Sequence, residues 1–201
     1  MLSSLYKYIK YFVSKVGFTF KIIIFLLLCC MKKILDSKFE TDRLRYFKSI
    51  SNLSLDDLNN KSYGWSILQH LYHCWLVESL AKQYITKKIL YPETINNVSF
   101  ITYFKSFLTP FIWKLGYKAI APKITATFPE QIDINKLNLD WVESRDSFDE
   151  LISKLHLLKL ENKAFFNHPF IGRINLQLTL SFFNFHFNHH KSLVEKIISK
   201  L

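Results

Sequence analysis

The chemically suggestive residues of this chain are its seven histidines, and they are not scattered. His186 and His190 stand four apart in Phe185-His186-Phe187-Asn188-His189-His190. Four helical steps leave two side chains only about 40° apart, so both imidazoles face the same way. His70 lies at the start of another predicted helix, in Trp65-Ser66-Ile67-Leu68-Gln69-His70-Leu71. A third imidazole brought from another helix would complete a facial three-histidine set with an open position, which is how a catalytic metal site differs from a closed structural one. Three neutral imidazoles leave the charge of a cation uncompensated. That favours an anion such as thiolate or hydroxide, and hence a nucleophile at neutral pH.

The remaining candidates carry weaker expectations. His73 is one turn beyond His70 and is the alternative ligand from that helix. His189 points about 100° from His190, toward solvent or a neighbouring helix. His168 precedes Pro169 and reads as a turn residue, and His156 sits mid-helix among leucines with no functional role. Gln69 or Glu78 would support the ligands, with a surface position the alternative for Glu78. Arg173 is a candidate for holding a substrate carboxylate, against the commoner outcome of a solvated turn arginine. Cys74 reads as a buried inert thiol. No Ser-His-Asp or Cys-His nucleophile arrangement is legible.

These residues need rigid elements to position them, and the composition supplies helices. The chain has 201 residues, 49% hydrophobic and 16% aromatic, with only 4 Gly and 5 Pro. That is enough apolar matter for one domain, and too little Gly and Pro for a turn-rich β-sandwich. The apolar period predicts helices near 31–51, 66–87, 140–162 and 176–199. Ser66 and Gln69 form a capping box for the second, with Trp65 as its hydrophobic staple. Asn175 is the expected N-cap of the last. Asn52–Gly64 reads as a connection with at most one helical turn. Lys88–Lys136, interrupted by four prolines, reads as one or two short helices in a long irregular crossover. Four long helices without strand patterning predict a four-helix bundle, antiparallel for the most part.

The formal net charge is +11, and residues 1–30 supply four of those charges with no acidic residue. The remainder has no Lys/Arg run of the kind that tracks phosphates, so nucleic acid is not an expected partner. Three cysteines without a Cys-x-x-Cys pair fit a reducing compartment, hence the cytoplasm. Residues 1–30 form a basic and apolar extension. Its apolar block Ile22–Met31 is ten residues long, whereas a bilayer span needs roughly 20. Three readings stand: a misassigned start with Met31 as the true one (or a disordered tail), a weak membrane tether through residues 16–31, and a cleaved signal.

Three features together resemble the DinB-like superfamily of metalloenzymes, also called YfiT-like. They are Trp65-Ser66 followed by His70-Leu71, the His-Pro-Phe-x-Gly turn at His168–Gly172, and the His-x-x-His-His cluster at His186–His190. The resemblance covers residues 31–201 and leaves 1–30 outside. It implies an all-α four-helix bundle with a long crossover loop between helices 2 and 3. It also implies a divalent metal held by His70, His186 and His190, zinc or nickel first, iron or manganese as further options. The activity it implies is transfer of a low-molecular-weight thiol, or hydrolysis of a small substrate. The alternatives are a non-catalytic metal-binding stress-related bundle and a membrane-tethered interaction protein. Expected partners are a small-molecule substrate and, in a homodimer, a second copy.

Overall fold

The computed structural model describes residues 40–114 and 121–201. The predicted extension 1–30, the first part of the predicted helix 31–51 and the proposed tether 16–31 lie outside the described residues. The chain divides into two units, residues 1–52 and 53–201.

In the first unit, helix α1 occupies residues 40–50. Arg43 is almost fully buried, forms an ion pair with Glu40 and sits 5.4 Å from the centre of the Phe47 ring. Tyr46 and Ile50 are buried on the same helix.

In the second unit the order is α2 (Leu55–Asn59), α3 (Ile67–Lys88), α4 (Phe100–Lys114), α5 (Ile134–Leu157), strands β1 (Phe166–His168) and β2 (Gly172–Ile174), and α6 (Leu176–Ile198). Short 3-10 turns occupy Pro92–Thr94 and Lys123–Thr125 within the crossover. Among the described residues no helix is long and apolar enough to cross a membrane.

Local chemistry starts and stops these helices. Ser66 accepts a hydrogen bond from Gln69 N at 3.2 Å, and Ser66 N donates to Gln69 Oε1 at 3.0 Å, so α3 begins at the predicted capping box. Asn175 caps α6 by accepting from Leu178 N at 3.0 Å. α5 departs from expectation at both ends. It begins at Ile134 rather than near Asp140, because Asp133 Oδ1 accepts from Asn135 N and Lys136 N at 2.8 and 3.1 Å. It ends at Leu157 rather than near Asn162. There Lys159 turns left-handed at φ 55°, Leu160 N reaches Leu155 O, and Lys159 N reaches His156 O. This is a Schellman stop, built here on a lysine where glycine is the usual choice. The crossover contains α4, a 15-residue helix that runs through Pro110, where proline would lead one to expect a break.

Side-chain pairs fix helix direction. His70 meets His190 and His73 meets His186, so the α6 partner recedes as α3 advances, and these two helices are antiparallel. Ser79 meets Ser144 and Lys82 meets Ser147, so α3 and α5 advance together and are parallel. The expected order is antiparallel for the most part, and this pair is the exception. The reason is the crossover, residues 89–133, which gives the chain length to return before α5 starts.

α3 thus carries three successive zones. At its C-terminal end Ile85 and Ile89 pack with Ile152 and Leu155 of α5 and with Phe165 and Leu176. In the middle, Glu78 Oε2 accepts from Trp141 Nε1 at 2.8 Å and from Arg145 Nε at 3.2 Å. At the N-terminal end stand the histidines. Beside α6, the two strands form an antiparallel hairpin with Phe166 opposite Ile174. Gly172 adopts φ +99° in its turn, a conformation that side chains disfavour.

Candidate metal centre

Three imidazoles converge: His73 from α3, and His186 and His190 from α6. One ring nitrogen from each lies within 4.8 Å of the others. Their ring centroids are 4.9, 4.7 and 4.6 Å apart around the triangle. All three are buried, at 3%, 9% and 6% exposure.

The α3 member of this group is His73 rather than His70. His70 is buried too, but it is not one of the three: its Nδ1 lies 2.9 Å from His190 Nδ1. The reason is register. His186 and His190 span one turn of α6, and His73 is level with both. His70 lies about 4.5 Å further along α3, where only His190 remains within reach. With His70 beside it, His190 is held by a hydrogen bond in which one of the two nitrogens carries the proton. A histidine ligand ordinarily has such a partner.

His73 has a better-defined partner. Its Nδ1 lies 2.7 Å from the carbonyl oxygen of Thr125, in the 3-10 turn of the crossover. A carbonyl can only accept, so Nδ1 carries the proton and the lone pair is on Nε2. That Nε2 is 3.0 Å from His186 Nε2. Two nitrogens that share one zinc at 2.0–2.1 Å would be about 2.8–3.4 Å apart for angles between square and tetrahedral. Donor type and tautomer suit a shared cation, this pair of nitrogens has the spacing for one, and the three histidines are positioned to bind a metal ion.

The electrostatics agree. Burial lowers the pKa of His73, against a raising contribution from the Thr125 bond. Burial, then the neighbouring rings His73, His189 and His168, push His186 well below its ordinary value. Burial, then His186, His73, His70 and His189, depress His190 strongly. His70 is lowered to about 4 by burial first, then by His73 and His189. The rings are thus neutral near pH 7, the protonation state a metal ligand requires.

A sign follows for pH. The unfolded imidazoles bind protons below 6.5, whereas His70 and His168 in the fold are lowered to about 4. The unfolded state then binds more protons across that window, so stability is full above 6.5 and declines as pH falls toward 4. Each such group contributes a slope of about 1.4 kcal/mol per pH unit. For metal-free protein the urea midpoint should be level between pH 7 and 8 and clearly lower at pH 5. A midpoint that does not move between pH 7 and 5 would contradict this burial.

The walls are aromatic. The Trp65 ring lies parallel to His190 at 6.1 Å, 8° between planes, and 5.0 Å from His73. Phe128 meets Trp65 edge-on at 4.9 Å, and Phe182 lies 5.3 Å from His186. The sequence marks Trp65 as a helix staple; its part in enclosing the site, and those of Thr125 and Phe128, emerge from the structure. The only signal in the sequence was an aromatic residue directly before the cap of a histidine-bearing helix.

The other candidates fall elsewhere. Gln69 is taken up by the cap of α3, and Glu78 by Trp141 and Arg145, so neither supports a ligand. His168 accepts from Phe170 N and Ile171 N at 3.2 Å each, as a turn residue. His189 is half-buried, edge-on to His190 at 5.2 Å. His156 is exposed, 4.0 Å from Glu161. Arg173 is exposed on β2 opposite Asn167. Cys74 is buried, and burial, then the Glu78 charge, push its thiol well above the usual range, so it stays protonated.

An all-α chain that sets one histidine of α3 against an i, i+4 pair of α6 defines a helical protein with a three-histidine group positioned to bind a metal ion. The chain belongs to the DinB superfamily, whose family model matches residues 38–194. Among curated proteins and among solved structures, none matches the chain.

Proposed function

We propose that this protein is a divalent-metal enzyme that transfers a low-molecular-weight thiol to a small electrophile, with hydrolysis of a small substrate as the neighbouring chemistry. The observation that carries the reading is the convergence of His73, His186 and His190 with no Asp or Glu in the group among the described residues. An all-neutral donor set leaves a bound cation free to attract an anion. When bound, the ion supplies Lewis acidity that eases deprotonation of a thiol or water at neutral pH. The residues of this chain do the rest. Thr125 holds the His73 lone pair inward, and His70 holds His190. Trp65, Phe128 and Phe182 keep the surroundings apolar, which strengthens attraction between an anion and the cation.

Zinc or nickel is the proposed occupant; iron, which imidazole also suits, and manganese, which prefers oxygen ligands, are the further options. The setting is a reducing one such as the cytoplasm, where small thiols are abundant and Cys74 stays reduced. A second reading, metal binding without turnover, draws on the low exposure of all three rings.

One experiment separates the two. Protein purified without added metal is analysed for bound metal, loaded with zinc or nickel, and offered several small thiols with an electrophilic acceptor. The enzyme reading expects one metal per chain and turnover lost on chelation. One metal per chain with no turnover across thiols would leave the binding reading, and no metal at all would sink both.

A further inference from the structure

Helix α4 is turned inside out. At helical spacing Phe100, Phe104, Phe107 and Phe111 fall within one narrow stripe. Their exposures are 83%, 56%, 67% and 54%. The opposite side carries Thr102, which is 6% exposed, and half-buried Ser106 and Thr109. That polar side faces the hairpin. A Cβ on Gly172 of β2 would stand 3.5 Å from Thr102 Oγ1, and Tyr103 hydroxyl is 3.3 Å from Asn175 Nδ2 at the cap of α6. A surface helix ordinarily puts its apolar stripe toward the core, and contiguous exposed apolar patches mark interaction sites.

Charge says what kind. From Thr94 to Pro129 the sequence holds no Asp or Glu, while it holds lysines, among them Lys105 and Lys123, both exposed. Ile124, beside Lys123, is 68% exposed. An exposed aromatic stripe in a stretch of sequence whose charged residues are all lysines matches the surface of an anionic bilayer: rings enter the acyl boundary and ammonium groups meet the headgroups. The stripe is a ridge on a single helix, a shape that enters a deformable lipid surface without a preformed groove. Stable membrane attachment takes two signals. Residues 1–30, with an apolar block and four lysines but no acidic residue, hold the same chemistry elsewhere in the chain.

We propose that the phenylalanine stripe of α4 docks this protein onto an anionic lipid surface. This stands apart from the metal centre, since none of its residues belongs to the histidine group.

The test is co-sedimentation of the full chain with phosphatidylcholine vesicles, with and without phosphatidylglycerol. The wild type should pellet with the anionic vesicles and stay largely in solution with the neutral ones. Phe104→Ser with Phe107→Ser should lower partitioning onto anionic vesicles by about tenfold or more, and Lys105→Glu several-fold. Helix content by circular dichroism should be unchanged, because these side chains are exposed. If the double variant unfolds, Phe100→Ser and Lys105→Glu give the reading separately. Wild-type protein that ignores anionic vesicles overturns the proposal, as do variants that bind as the wild type does, because other segments then carry the attachment. A dimer in sedimentation velocity without lipid, split by the same substitutions, assigns the stripe to a second copy instead.

Discussion

A His73→Ala protein, purified beside the wild type, should retain under about a tenth of its bound metal, with helix content unchanged. His73 is the one α3 residue whose ring nitrogen joins those of His186 and His190 within 4.8 Å. Its removal takes away a ligand and leaves a pair on one helix, which cannot close around a cation from both sides. Replacing His190 should have the same effect. His70→Ala should behave differently. It removes the partner 2.9 Å from His190 Nδ1 but not a member of the group, so affinity should fall by about 10–100-fold while excess metal restores full occupancy. His156→Ala, on the exposed face of α5, should change neither quantity. Metal analysis and titration with a chelator read all four. A His73→Ala protein that keeps its metal, while His70→Ala loses it, would return His70 to the place the family resemblance suggested.

Trp141→Ala should cost about 3–5 kcal/mol of unfolding free energy, the largest effect expected of any single substitution away from the histidines. The side chain is 0% exposed. It joins all three long helices of the second unit: it lies on α5, donates to Glu78 of α3 at 2.8 Å, and meets Phe187 of α6 edge-on at 6.0 Å. Its loss leaves a cavity in that seam and withdraws one donor from a nearly buried carboxylate. Leu139→Ala, two residues earlier and 68% exposed, should stay within about 0.5 kcal/mol. Urea unfolding of the two variants under identical conditions makes the comparison. A Trp141→Ala midpoint close to that of Leu139→Ala would mean that the seam does not hold these helices together.

What could be read along the chain is what neighbouring residues settle among themselves. N-caps work within three residues, which is why α3 and α6 begin directly after Ser66 and Asn175 as expected. The His186–His190 pair is equally local, because four steps on any α-helix bring two side chains to one face. The early start of α5 was local as well, written in Asp133, but it was hidden behind a proline-rich stretch that reads as loop. The Schellman stop at Lys159 carried no glycine to announce it.

The rest depended on how separate helices slide and turn against one another. Whether His70 or His73 meets the α6 pair differs by about 4.5 Å of register between two helices whose histidines are more than a hundred positions apart. Nothing within either segment encodes that offset. It is set by packing along the full length of α3, from Ile85 and Leu176 at one end to the Glu78–Trp141 bond in the middle. Thr125 orients His73 only because the crossover carries it back to the start of α3, and the same crossover makes α3 and α5 parallel. A periodic pattern tells which face of a helix is apolar but not what that face will meet. The i, i+4 pair was therefore legible in the sequence alone. The third histidine of the group, its tautomer, its aromatic walls and the outward stripe of α4 came only with the tertiary structure, because each depends on side chains that are neighbours in space and not in sequence.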